Sequence, residues 1–592
     1  MKKNQIIEEP KLFQYSTLLV ILIPLILYIS ALGLGFVYFD DDILVLDNYE
    51  KISHLSNVGQ AFRTDAFFAN LSPYYRPLMN VSFIVDAAIG GQSPLVYHLG
   101  NVIYHLLSCL SLLWLLSLMG FSKPKAFIGT LIFAVHPMMG HAVLWIPARG
   151  DILVTLFALL SFSLFILFLK KNEACHLMLH ILCLTGAIFS KESAVILPVL
   201  FILWLIIKKQ KLSGGMMMIL YGSWLLVFVG WYYLRLISID PRSDAQQGLS
   251  PLLQNLSFIP EAFSRFFLPF MLPVTPVFST IVTLSGIMLI FLIAVFIFQQ
   301  KTTTTLPVIF FGAAWFLSFC LPNMLVRLVS ADDSFEYLLH RTYLPYIGLL
   351  IMLLSACPGK WFDVKTKPFN IIIACLLIVL SITSSSQQKK YKNAISFWES
   401  AIQYSPDKAW FHYYMGRYYF KQKDYARFEK FLLKADSLKP YPKFNYYLGM
   451  GYLLDNKDYD KAYSHFIKAF KLGYGGSEAR ANFIGLCIES GNDYFQKGEY
   501  SKAINRAEEA LSNDPSNGVI AYNLGIYLAN AGEKKRAASM WKNSIRLKPD
   551  LSDAYRSLCL YYQYDKKRAD SAAWYAREFK SHGGIGNLIS PK

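Results

Sequence analysis

The sequence predicts an all-α protein, a bundle of membrane-crossing helices followed by a soluble array of helical repeats. Three observations carry this expectation. The 592 residues are 54% hydrophobic and 16% charged, too apolar for a soluble enzyme of this size. Runs of about 20 apolar residues, enough to cross a bilayer as a helix, recur through the first two thirds. The hydropathy then drops near Ser384, Ser385 and Ser386, and prolines begin to mark a regular period.

The first apolar run lies at about 15–35. No small-residue cleavage site precedes the acids that follow it, so it reads as an uncleaved anchor. Further runs lie near 97–119, 126–142, 151–169, 174–189, 193–207, 216–237, 277–298, 305–323, 343–357 and 369–385, about eleven in all. The stretch 255–273 is apolar but carries Glu261 and Arg265 and ends in prolines, and it reads as an interfacial or re-entrant segment. The net charge of +17 invites a nucleic-acid reading, but its distribution argues against one. Lysines cluster in short loops: Lys2, Lys3 and Lys11; Lys123 and Lys125; Lys170 and Lys171; Lys208, Lys209 and Lys211; Lys301; and Lys360, Lys365 and Lys367. The positive-inside rule places these loops in the cytoplasm and the alternate loops outside. An odd number of crossings then carries everything after residue 386 to the outer side. The eight cysteines show neither a disulfide framework nor a metal-ligand spacing, and read as packing residues.

The break near 386 divides the chain into a membrane domain, 1–386, and a soluble domain, 387–592. Pro406 to Pro440 and Pro515 to Pro549 are both separated by 34 residues. The blocks between them align with a Tyr-Leu-Gly in the first helix and an Ala in the second, which is the tetratricopeptide period. A few extra residues around 475–487 break the period once, and SDAYRSLCLYYQYDKKRADSAAWYAREF reads as a terminal cap. Such repeats stack into a superhelix whose concave groove suits polypeptide. Stability or self-assembly alone is the plainer reading.

Asp40, Asp41 and Asp42 follow the first run in GLGFVYFDDDILVLDN. Carboxylates beside hydrocarbon are functional candidates. At the C-terminal end of a crossing helix the dipole also disfavours them, by about 0.3–1 kcal/mol each. A solvated loop is the bland alternative. The same side of the membrane is assigned Arg76, in Tyr-Tyr-Arg-Pro, and His98, Asn101 and His105, which share one helical face. It is also assigned His136, His141, Arg149 and Asp151, then Lys191 and Glu192, and finally Arg265, Arg327, Glu336, His340 and Arg341. A lone buried histidine is ordinarily structural, and Asp151 and Ser190 equally suit helix caps.

Guanidinium forks grip phosphate oxygens. A carboxylate beside them takes a proton from an attacking hydroxyl. The set therefore describes transfer from a lipid-phosphate donor to a hydroxyl acceptor. Asp40 or Asp41 is the candidate base. Arg76, Arg149, Lys191, Arg327 and Arg341 are the candidate phosphate ligands. Asp42, His98, His105, His136, His141, Glu192 and His340 are supporting polar groups. Asp40 and Asp42 form a D-x-D, a metal-holding pattern in some nucleotide-sugar transferases, but nucleotide sugars are cytoplasmic and these acids are assigned outside. No Gly-rich phosphate loop or zinc-ligand spacing is present, so no cofactor is expected to be required, with a divalent metal kept as the lesser alternative.

The stretches FVYFDDDILVLDN, YYRPLMNVSF, YHLGNVIYHLL, FAVHPMMGHAVLWIPARGDILVTLFALLSF, SKESAVILPVLF, FFLPFMLPV and HRTYLPYIG carry a resemblance. The chain is similar to polytopic glycosyltransferases of the GT-C class. It resembles more closely, in a bacterial form, the transmembrane and tetratricopeptide repeat-containing O-mannosyltransferase-like proteins. The resemblance implies a GT-C-like membrane domain and an acidic pair at Asp40 and Asp41, one of them the general base. It implies a polyprenyl-phosphate-linked, mannose-like sugar as donor. It implies Ser/Thr hydroxyls of an acceptor protein, bound through the repeats on the outer face, here the periplasmic face of a bacterial inner membrane. Two departures stand out. The family carries an acid after its His-Pro where this chain has His141, and Glu-Arg where this chain has His340-Arg341. Two alternatives stay open: transfer of a lipid-linked oligosaccharide or modification of a glycan or lipid, and a non-enzymatic membrane-anchored scaffold for envelope proteins.

Overall fold

A computed structural model describes residues 15–68, 72–239, 245–247, 249–270, 272–300, 305–328, 337–362, 367–586 and 588. The chain divides into two compact units, Met1–Met415 and Gly416–Lys592.

Among the described residues of the first unit, seven helices are long and apolar enough to cross a membrane: Ser16–Gly33, Pro94–Leu118, Ile146–Lys171, Gly214–Ser238, Thr280–Gln299, Leu306–Met324 and Phe369–Tyr391. Lys123–Val135 and Pro137–Leu144 form an eighth, bent by 55°. The bend has a local cause. Pro137 has no N–H to continue the ladder, and the His136 ring caps the new helix by accepting from the Met138 N–H. The remaining expected runs are shorter apolar helices, Ala174–Ser190, Glu192–Ile207 and Pro345–Ala356. The stretch 255–273 forms no long helix, only Phe258–Phe267. Tyr337 donates to the Glu261 carboxylate at 2.5 Å and accepts from Arg265 Nε at 2.6 Å. The Ser279 N–H and the Thr283 hydroxyl donate to the other Glu261 oxygen. This knot ties the short helix to its neighbours. Beyond the helices, Ala245–Gln247 pairs antiparallel with Val326–Leu328.

The helices carry polar groups at both ends, and the two ends differ. Lys170 Nζ donates to the Leu118 carbonyl, and Lys125 Nζ to those of Leu354 and Cys357. Basic loops far apart in sequence therefore meet at one end. Asp151 and Lys170 lie on the same helix, Arg149–Lys171, about 28 Å apart at 1.5 Å per residue. At the Asp151 end, helices Leu306–Met324 and Pro345–Ala356 aim the segment that bears His340 and Arg341. They touch backbone to backbone: a Cβ on Gly312 would lie 2.6 Å from the Gly348 carbonyl oxygen, and one on Gly348 2.5 Å from that of Gly312. Small residues at such a crossing are what close packing in lipid requires.

The first unit runs past the break expected at 386. Helix Ala394–Tyr404, capped by Asn393, and the chain to Met415 pack with the membrane helices. The cause is aromatic: Trp398 is fully buried, stacked 4.7 Å from Tyr414 and edge-on to Phe39. The second unit is built from helix pairs such as Pro442–Asp455 with Tyr459–Lys471 and Gly518–Asn530 with Lys534–Leu547. The Tyr-Leu-Gly signature has a steric reason. A Cβ on Gly449 would meet the Phe466 ring at 2.7 Å. The inserted residues near 475–487 are absorbed by a 20-residue helix, Ser477–Gln496. The eight cysteines are free thiols, and Cys487 and Cys559 are buried in repeat cores.

Candidate functional site

The acids occupy a loop of unusual backbone. The first helix ends in a 3-10 turn at Gly33, and extended chain leads to Tyr38 at φ +57° and Asp40 at φ +68°. Left-handed residues other than glycine cost about 1–3 kcal/mol each and persist only where the surroundings impose them. Asp41 then caps a π-helical turn, Asp42–Asp47, a form that recurs at functional sites. The helix-dipole expectation is thereby corrected. The acids stand at the N-terminus of a new helix rather than the C-terminus of the old one, and there the dipole favours negative charge.

The three aspartates differ in role. Asp41 is buried, and its carboxylate accepts from the backbone N–H groups of Val37 at 2.6 Å, Phe39 at 3.1 Å and Asp42 at 2.9 Å. Burial and the adjacent Asp42 charge push its carboxyl up to about 8, outweighing the Val37 and Phe39 donors. Asp42 is fully buried at the head of the turn. Asp40 is half-buried. Asp41 thus shapes the loop, and Asp40 is the acid of the pair with solvent access.

Trp145 joins this loop to the basic groups. Its indole N–H donates to the Phe39 carbonyl at 2.8 Å, its rings stack on Phe39 at 5.0 Å, and its edge meets His340 at 4.7 Å. Phe39, Trp145 and His340 line one small cavity with His141 and Tyr391. Behind His340 lies Asp151, 3.7 Å from its Nε2 and ion-paired with Lys191 at 2.6 Å. Asp151 therefore caps no helix, and Ser190 bonds back to the Gly186 carbonyl instead. Glu192 takes Arg76 Nε at 3.1 Å and the Tyr75 N–H at 2.8 Å. Burial, then the charges of Lys191, Arg341 and Arg76, hold His340 well below the ordinary imidazole range, so it is neutral. Burial also lowers Lys191 to about 8, against the pull of Asp151. The cluster sets Arg76, Lys191 and Arg341 against Asp151 and Glu192. Among the described residues no carboxylate is ion-paired with Arg341.

Arg149 is placed elsewhere. It is fully buried and paired with Asp86 at 2.5 Å. It donates to Asn101 Oδ1, Ser82 Oγ and the Tyr97 carbonyl, and lies over the Phe83 ring. With its donors consumed inside the bundle, it is a structural strut rather than a phosphate ligand. Arg327 lies on the strand Val326–Leu328, with its side chain outside the described residues, as is Glu336.

The polar face of helix Pro94–Leu118 is likewise internal. Asn101 donates to the carbonyls at the end of the bent helix. His105 Nε2–H donates to the Ala134 carbonyl at 3.0 Å, so its Nδ1 accepts from Tyr343 at 2.6 Å. His98 is buried on the same face. His136 donates to the Phe266 carbonyl. His141 differs: its Nδ1 pairs with the Tyr391 hydroxyl at 2.7 Å beside the cavity. Sequence reasoning missed Asp86, Trp145, Tyr391 and Trp398, whose roles depend on partners far away in the chain.

Residues 80–233 match the family described as dolichyl-phosphate-mannose-protein mannosyltransferase, a span that includes Arg149, Asp151, Lys191 and Glu192. Residues 488–550 match the tetratricopeptide repeat. Protein O-mannosyl-transferase Tmtc1 of Drosophila melanogaster is 30% identical over 179 residues, 29% of this chain and 20% of that protein. Human protein O-mannosyl-transferase TMTC3 is 33% identical over 141 residues, 23% and 15% of the two chains. The matched region thus spans about a fifth or less of these relatives. A crystal structure of YrrB, a TPR protein, matches 32% of this chain at 19% identity and a TM-score of 0.25. The chain is a helical, repeat-bearing protein with several apolar helices of membrane-crossing length, and it resembles the TMTC-type protein O-mannosyl-transferases.

Proposed function

We propose that the chain is a membrane glycosyltransferase that moves a mannose-like sugar from a polyprenyl-phosphate donor to Ser/Thr hydroxyls of proteins. One observation carries the reading: Trp145 bonds the Phe39 carbonyl beside Asp40 and meets the edge of His340, which stands against Asp151 and its partner Lys191, at the end of the bundle opposite the basic loops. That separation of charge supports an external site by the positive-inside rule, on the periplasmic face of a bacterial inner membrane. The repeats, on the same face, bind the acceptor.

Asp40 takes the proton of the acceptor hydroxyl as its oxygen attacks the sugar C1. The bond from C1 to the phosphate oxygen breaks, and its electrons leave with the lipid phosphate. Arg341, with Arg76 and Lys191, stabilises the charge gathering on that group. Asp151 and Glu192 hold Lys191 and Arg76 in place before the donor arrives. These cations do the work of a metal, so transfer persists in a chelator. In cells, Ser/Thr residues of envelope proteins carry a hexose when the protein is present and lose it when Asp40→Asn replaces it. Identical glycopeptide mass spectra in the two strains would sink the proposal.

Lys191 gives this reading a pH signature. It is charged below about 8 and neutral above, so donor affinity falls as pH rises through that value. In Lys191→Arg the guanidinium stays charged, and the alkaline limb of kcat/KM moves upward out of range. A limb that stays at the same pH in Lys191→Arg would take Lys191 out of the donor site.

A further inference from the structure

The strained acid loop is gripped from two sides. From the membrane helices, Trp145 donates to the Phe39 carbonyl at 2.8 Å. From beyond the last apolar helix, Trp398 donates its indole N–H to the Val37 carbonyl at 3.1 Å. The two indoles thus bind the carbonyls on either side of Tyr38, the first left-handed residue. The Phe39 ring is held between them, stacked on Trp145 and edge-on to Trp398 at 5.4 Å. Trp398 is itself fixed against Tyr414, with its ring planes within 4°. Its segment is anchored three more times: the Gly35 N–H donates to the Lys392 carbonyl at 2.9 Å, Tyr391 pairs with His141 at 2.7 Å, and Lys390 Nζ donates to the Leu272 carbonyl at 2.7 Å.

Asp41 holds the loop from within by its Val37 and Phe39 N–H groups, and the two indoles hold the carbonyls of the same two residues from outside it. We propose that Trp398 is a positioning residue for the reaction, and that residues 389–415 are a working part of the transferase unit rather than the start of an independent acceptor-binding module. The segment fixes the backbone that aims Asp40. This deepens the transferase reading, and only its kinetic arm rests on that reading.

The test uses the full chain in lipid nanodiscs, with Trp398→Ala, Trp398→Phe and, as a control in the repeat core, Trp541→Ala. Hydrogen exchange of residues 36–42 is measured by mass spectrometry. Losing the indole bond raises exchange there by about tenfold in both Trp398 variants, and Trp541→Ala leaves it unchanged. With a synthetic polyprenyl-phosphate mannose and a short Ser/Thr peptide, kcat falls while the donor KM holds. Trp398→Phe, which keeps a ring against Tyr414, recovers part of the rate. The pH at which the acid limb of kcat falls also moves, which a mere loss of folded protein would not cause. If Trp398→Ala does not fold, Trp398→Phe carries the measurement. Unchanged exchange at 36–42, whatever the rate, overturns the proposal. A wild-type protein without transferase activity overturns the functional reading and leaves the exchange result standing.

Discussion

Asp40→Asn lowers transfer by about 10²–10⁴-fold, the range lost with a general base, and leaves the loop as it is. Asparagine tolerates a left-handed backbone as well as aspartate does, so the substitution removes basicity without adding strain at φ +68°. Asp41→Asn also loses activity, by a different route. Both Asp41 oxygens accept backbone N–H groups, Val37 on one and Phe39 and Asp42 on the other. An amide has only one oxygen, so one of those donors then faces an N–H₂. An unsatisfied buried donor costs about 1–3 kcal/mol, and the loop loosens. Single-turnover rates read with hydrogen exchange at residues 36–42 separate the two. Asp40→Asn is slow with wild-type exchange, and Asp41→Asn is slow with raised exchange. Normal turnover in Asp40→Asn would remove the assigned base.

Arg149→Met destabilises the membrane unit by about 3–5 kcal/mol, because it leaves Asp86 charged and alone inside the bundle. Arg149 is fully buried and Asp86 nearly so, and Gly100 leaves the pair room: a Cβ there would meet the guanidinium at 2.9 Å. Arg149→Met with Asp86→Leu recovers most of the loss, since an apolar pair of similar volume replaces the ions. Arg341→Gln does the reverse, leaving thermal stability unchanged and raising the donor KM. Thermal unfolding in detergent checks both. An Arg149→Met protein of wild-type stability with weakened donor binding would return Arg149 to the site.

The helices were readable because apolar length is a local signal. Each expected run is helical, and the three shortest pack beside longer neighbours. The repeats were readable from the Tyr-Leu-Gly glycine, whose reason is the Phe466 ring facing Gly449. Two kinds of feature were not readable. One is how charges pair. Arg149 and Arg341 both sit in loops assigned to one side, yet Asp86 claims the first, and no carboxylate among the described residues claims the second. The other is where the first unit ends. Hydropathy falls at 386, but Trp398 and Tyr414 are aromatic residues in a repeat-like sequence, and only the fold shows that Phe39 is what they cover.

The most direct measurement uses the purified full-length protein in liposomes with a synthetic polyprenyl-phosphate mannose and a Ser/Thr-containing acceptor, and follows the acceptor by mass spectrometry. The account predicts a single hexose added to a hydroxyl, retained in chelator, lost in Asp40→Asn and slowed by a raised donor KM in Arg341→Gln. Absence of transfer across a panel of polyprenyl-phosphate sugars, or equal transfer by wild type and Asp40→Asn, would contradict it.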